Sequence, residues 1–116
     1  RRRKYAAVIL LITLIIATVL ALTLTLRKRC FRKRSDLRQA ILDLMGPQST
    51  DSTQESVERR YGPMEDWCFH KSLDDMSGVF QNIQSEFRSE ISGWDTSHIK
   101  YMQHMFDGCT QFNQDI

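Results

Sequence analysis

A single membrane-spanning helix followed by a repeat-built body is the architecture this 116-residue sequence predicts. Three observations carry it: an uncharged apolar run from Tyr5 to Leu26, a doubled apolar skeleton in the C-terminal part, and an abrupt reversal of charge between the two.

The run over residues 5–26 holds no charge, Gly or Pro and, after Tyr5, only Ala, Val, Ile, Leu and Thr. Its 22 residues, at ~1.5 Å each, reach about 33 Å, enough for a hydrocarbon core of about 30 Å. Thr13, Thr18, Thr23 and Thr25 are tolerable there because a hydroxyl can bond back to a carbonyl one turn earlier. A signal peptide would have a shorter apolar region and a small-x-small cleavage site, whereas this run ends on Arg27-Lys28-Arg29. The rest of the chain is too short to bury such a helix on all sides. A transmembrane helix is therefore predicted, between a basic flank at 1–4 and a basic juxtamembrane segment at 27–34.

Charge divides the chain at the same place. Residues 1–34 carry ten Lys/Arg and no Asp/Glu, a net +10, and residues 35–116 carry six Lys/Arg against fourteen Asp/Glu, a net −8. The whole-chain +2 is a sum of opposites and says nothing about partners. The basic cluster is of the kind drawn to anionic head groups, and it also suits a stop to translocation. No basic stripe with interleaved aromatics lies in the acidic part, so nucleic-acid binding is not expected.

The skeleton reads Met76, Phe80, Phe87, Ile91 and then Met102, Phe106, Phe112, Ile116. Met-to-Phe and Phe-to-Ile are four residues in both copies, and the period is 25–26 residues. Trp67 and Trp94, and Leu73 and Ile99, extend the frame backwards. The repeating positions are apolar rather than reactive, which marks repeat architecture, each unit burying its face on a neighbour.

The second copy, Trp94 to Ile116, resembles the repeat of the BspA-like leucine-rich-repeat surface proteins, approximately W-D-[TV]-S-x-[VI]-x-x-M-x-x-M-F-x-G-[AC]-x-x-F-N-Q-D-I, with every fixed position filled. The resemblance covers roughly residues 57–116. The first copy is degenerate: Cys68-Phe69-His70 stands for Asp-Thr-Ser, Gln81-Asn82 for Asp-Gly and Arg88-Ser89-Glu90 for Asn-Gln-Asp, as suits a capping repeat. The lead-in from Val57 to Trp67 is similar to that of membrane-anchored members. The resemblance implies an α/β leucine-rich-repeat-like solenoid over 67–116, with one short strand per turn around Ile91–Trp94 and Phe112–Ile116. Asn113 and Gln114 would bond along the stack. Its core would be Leu73, Met76, Phe80, Phe87, Ile91, Trp94, Ile99, Met102, Phe106, Cys109, Phe112 and Ile116. The spacing of Leu73, Met76 and Phe80, and of Ile99, Met102 and Phe106, predicts about two helical turns in each copy.

Between span and repeats, Leu37, Ile41, Leu44 and Met45 form one apolar stripe and predict a short amphipathic helix over 35–45, capped by Ser35 and ended by Gly46-Pro47. Residues 46–66 are expected to be linker and lead-in, with polar 48–56 a flexible tether.

No enzymatic site is expected, and neither metal nor cofactor. His70, His98 and His104 have no zinc spacing with Cys68 and Cys109, and no phosphate loop or nucleophile elbow occurs. Three cysteines leave at least one unpaired. Cys30 is a candidate acylation site if its flank is cytoplasmic, and a cross-link between two chains or a free thiol if external. Cys68 could pair with Cys109 only if adjacent turns approach within ~7 Å.

Orientation is pulled two ways. Six basic residues after the span against four before it favour a cytoplasmic C-terminal side, whereas the resemblance implies repeats displayed outside the cell. The start at Arg1 and the end at Ile116, without a capping element, suggest an N-terminal fragment of a longer protein. Its last layer (Met102, Phe106, Phe112, Ile116) would then be open to oligomerisation. The expected function is that of a membrane-anchored, single-pass surface protein. Its repeats would serve adhesion or recognition of other proteins or surface glycans, with no small-molecule substrate. The alternative is a membrane-tethered signalling receptor or scaffold with cytoplasmic partners.

Overall fold

The computed structural model describes residues 2–25, 29–84 and 89–115. Helix α1, Arg2–Thr25, covers residues 5–25 of the apolar run and is long and apolar enough to cross a membrane, a test that a signal sequence also passes. The hydroxyls of Thr13, Thr18 and Thr23 donate to the carbonyls of Leu10, Ile15 and Leu20, which keeps each polar group satisfied within the helix.

Helix α2, Arg34–Met45, buries Leu37, Ala40 and Ile41. Ser35 does not cap it: the helix starts one residue earlier, with Lys33 at the N-cap position and no side-chain cap bond. At its end Gly46 N–H bonds Leu42 O at 2.8 Å, and a Cβ on Gly46 would lie 2.5 Å from that oxygen, so close approach dictates the glycine.

The polar segment read as a flexible tether is instead ordered. Residues 46–66 carry helix α3, Asp51–Tyr61, and a single 3-10 turn, Met64–Asp66. Thr50 and Thr53 form a reciprocal capping box at the start of α3. The same polar residues satisfy the orphan carbonyls at the end of α2. Ser49 Oγ lies 2.7 Å from Asp43 O, Thr53 Oγ1 2.8 Å from Asp43 O, and Gln54 Nε2 3.2 Å from Leu44 O. The composition that suggested a tether is the composition that closes two helix ends against each other.

The repeat region does not form the expected α/β leucine-rich-repeat-like solenoid. Among the described residues there is no strand and no sheet, only two isolated parallel bridges, Phe31 with Phe69 and Asp75 with Tyr101. The two expected helical stretches are absent as well, because residues 73–84 and 94–111 run through successive turns. The cause lies in how the backbone donors divide. Val79, Gln81 and Ile83 donate to the carbonyls three residues back, as in a tight turn. The intervening Met76, Gly78, Phe80 and Asn82 donate outward to Tyr101, Gln103, Met105 and Asp107 of the second repeat, at 2.7–3.0 Å. A chain that alternates local and cross-repeat bonds can complete neither an α-helix nor a strand.

The two copies nonetheless share one backbone. Positive φ occurs at Gly78 and Asn82 in the first repeat and at His104 and Gly108 in the second, each pair 26 residues apart. Asn82 stands where the second copy has glycine, and asparagine is among the few side chains that tolerate the left-handed region. Degeneracy in the first copy thus leaves its geometry intact.

Candidate interaction surface

Stacking sorts the repeat residues into a core file, a capped upper edge, an exposed polar side and a lower edge. Leu73, Met76, Phe80, Ile91 and Trp94 are buried. Ile99, Met102, Phe106, Cys109 and Phe112 are half-buried and pack against that core. Phe87 and Ile116 lie outside the described residues. An aromatic file runs through the stack: Trp94 lies 6.0 Å from Trp67 and 5.8 Å from Phe80, Phe80 lies 5.2 Å from Phe106, and Phe106 lies 3.9 Å from Phe112.

Sequence reading missed Val79, Ile83 and Met105, all buried. Val79 and Ile83 sit 26 residues before Met105 and Cys109, so a strict 26-residue alignment would have paired them. Phe31 was also missed. It is 1% exposed, stacks on Tyr61 at 4.0 Å, and pairs with the first repeat through Phe31 N to Cys68 O and His70 N to Phe31 O. No periodicity announces it, since it lies in a basic run far from the repeats.

The upper edge is closed by arginines of α2. Gln103 O and Met105 O accept backbone N–H bonds from the first repeat, and the equivalent carbonyls of that repeat are Ser77 O and Val79 O. Arg34 Nη1 reaches Ser77 O at 3.4 Å and Arg38 Nη1 reaches Val79 O at 2.8 Å. Two guanidinium groups one helical turn apart thus replace the donors of a preceding repeat. Arg38→Met keeps most of the packed stem but removes the charge-assisted donor from a half-buried site. It is expected to cost about 1.5–3 kcal/mol, read as a lower urea midpoint of the full chain in detergent, with Arg38→Lys between the two.

The polar side is a ladder at the same register. Lys100 pairs with Asp74 at 3.1 Å, Ser77 Oγ donates to Gln103 Oε1 at 2.9 Å, and Tyr101 is 51% exposed beside them. Gln114 ties the repeats at the other end, its amide accepting from Ile91 N and donating to Ser89 O, both at 2.9 Å. The fixed Asp95 and Ser97 of the motif bond each other, Ser97 Oγ to Asp95 Oδ1 at 2.6 Å, and Asp75 likewise accepts from Ser77 N at 2.8 Å. Bonds from Ser77 hold the Asp75 carboxyl below its ordinary value of 3.8, helped by Arg34, and bonds from Ser97 lower Asp95 in the same way.

A carboxyl lowered on folding adds stability above the ordinary carboxylate range, and that stability is lost as pH falls through the lowered value. Thermal midpoints should therefore be flat near neutrality and fall on acidification below about pH 4. In a D75N/D95N variant the acid limb should shrink. An unchanged limb would remove these two groups from the account.

The cysteines are arranged otherwise than expected. Cys30 and Cys68 form a disulfide, with Cα atoms 4.6 Å apart. Acylation of Cys30 is therefore excluded while the bridge stands, and Cys68 is not available to Cys109. The Cys109 thiol is free and half-buried, donates to Phe80 O at 2.8 Å, and has its pKa pushed up by burial. His70 Nδ1 accepts from Ser72 N at 3.1 Å and lies 2.8 Å from its hydroxyl, while Ser72 Oγ lies 3.3 Å from Arg32 O, an arrangement that ties a turn together. His104 pairs with Asp107 on the exposed surface. Among the described residues no group of three His, Cys, Asp or Glu could hold a metal ion.

A family model described as "Mycoplasma protein of unknown function, DUF285" matches residues 49–116, more than half of the chain. That description assigns neither a leucine-rich-repeat fold nor an activity. No curated protein and no solved structure matches the chain.

Proposed function

We propose that this chain, which belongs to the DUF285 family, is a single-pass, membrane-anchored surface protein whose repeats face outward and serve adhesion or recognition. The observation that carries the reading is the Cys30–Cys68 disulfide. Cys30 follows the end of α1 by five residues, so the bridge and the span's C-terminal end share one side of the membrane. Disulfides persist in oxidising surroundings and are rare where glutathione keeps thiols reduced. The opposing signal is the six-to-four excess of basic residues after the span. That bias is statistical and is overridden in individual proteins, whereas a reducing compartment acts on every copy.

The partners of this reading are proteins or glycans, met by the polar ladder around Asp74, Lys100, Gln103 and Tyr101. Such a surface offers paired charges, amides and one exposed ring on a backbone held by cross-repeat bonds. It needs no catalytic group, metal or cofactor. The basic flank favours the competing reading, a membrane-tethered receptor or scaffold with cytoplasmic repeats.

One experiment separates the two. Protease added to intact cells should digest the repeats under the outward reading. Repeats that stay resistant until the membrane is permeabilised would overturn it.

A further inference from the structure

The strongest charged feature outside the repeats lies between α1 and α2. Arg29, Arg32 and Lys33 are exposed, and among the described residues none pairs with a carboxylate. They flank two residues that are fixed. Cys30 is tied covalently to Cys68, and Phe31 is 1% exposed and bonded to Cys68 O and from His70 N at 2.9 and 2.8 Å. The three cations therefore belong to the folded body rather than to a loose tether.

Their distance from the bilayer is bounded by the chain. Arg29 follows Thr25 by four residues and Arg32 by seven. At 3.3–3.6 Å per residue the limits are about 14 and about 25 Å, and long basic side chains extend towards the head groups from there. The remainder of the body opposes such an approach to an anionic surface, since residues 35–116 carry a net −8. On the C-terminal side of the span, where the body lies, this segment offers the opposite sign.

We propose that Arg29, Arg32 and Lys33 form a docking patch for the phosphodiester head groups of anionic phospholipids, and that this patch seats the repeat body on the membrane. The inference rests on the reading of α1 as a span. Neutralising each cation should change the ratio of seated to lifted bodies by roughly five-fold, and raising salt should act in the same direction.

The test uses the full chain in lipid nanodiscs. Trp67 and Trp94 both lie in the body, so energy transfer from tryptophan to a dansyl-labelled lipid reports how close the body lies to the bilayer. Transfer should be higher in discs containing about one-third phosphatidylglycerol than in phosphatidylcholine alone. In an R29Q/R32Q/K33Q variant it should fall to the phosphatidylcholine level. These side chains are exposed and pair with no carboxylate among the described residues, and unchanged tryptophan emission in neutral discs verifies the fold. Equal transfer in the two lipids, or a variant that keeps the difference, overturns the proposal and leaves the basic residues as a topology signal only. A chain that leaves the discs in alkaline carbonate defeats the span reading, and the proposal with it. A chain that stays without lipid-dependent transfer defeats the proposal alone.

Discussion

Replacing Trp94 by alanine is expected to lower the unfolding free energy of the repeat body by about 3–5 kcal/mol, among the largest effects open to a single side chain here. Trp94 is 8% exposed and is the joint of the aromatic file, stacked at 6.0 Å on Trp67, edge-on at 4.8 Å to Phe69 and 5.8 Å from Phe80. Its indole N–H donates to Met64 O at 2.8 Å and so fixes the 3-10 turn that leads into the first repeat. Two losses therefore combine. The ring leaves a cavity between first repeat and lead-in, and the Met64 carbonyl loses a buried donor. Trp94→Phe separates them, since it keeps an aromatic surface and removes the N–H, and it should cost only about 1–3 kcal/mol. Urea unfolding of the full chain in detergent, followed by Trp67 fluorescence, measures both. Equal losses in the two variants would mean that the hydrogen bond, and not the ring, holds the joint.

What could be read from the sequence follows from which bonds are local. The Met–Phe skeleton marks apolar positions because burial depends on side chains: Met76 and Phe80 are fully buried, and Met102 and Phe106 are half-buried against them. The same spacing misled about backbone, since positions 0, 3 and 7 lie on one helical face but also fit a chain of successive turns. The deciding fact is that Met76, Gly78, Phe80 and Asn82 donate to a segment 25 residues away, and no local pattern encodes that. Residues 48–56 failed for a related reason. Ser49, Thr53 and Gln54 look like linker residues until the end of α2 is placed beside them. The arginine cap belongs to the same class: Arg34 and Arg38 sit at ordinary i, i+4 spacing, and only the stacked repeats show that their acceptors are the orphan carbonyls Ser77 O and Val79 O.

Reduction of the Cys30–Cys68 bridge is expected to cost about 4 kcal/mol by the chain-entropy estimate for a loop of this length, the sequence separation being 38 residues. The loop encloses both α2 and α3, so opening it frees the unfolded chain over the elements that cap the first repeat. In the folded state the consequence is more local. Phe31 remains plugged among Tyr61, Trp67 and Phe69 and keeps its two backbone bonds, so the segment should loosen without leaving its site. The measurement is urea unfolding with and without dithiothreitol, followed by tryptophan fluorescence. A single Cys30→Ser variant is a poor comparator, because it leaves Cys68 free to mispair with Cys109. C30A/C68A is the clean one: it should match the reduced protein and ignore the reductant. If the reductant destabilises that variant equally, the loss lies elsewhere. If neither treatment moves the midpoint, the bridge does not constrain the unfolded chain, and Phe31 with its two hydrogen bonds holds the juxtamembrane segment to the body unaided.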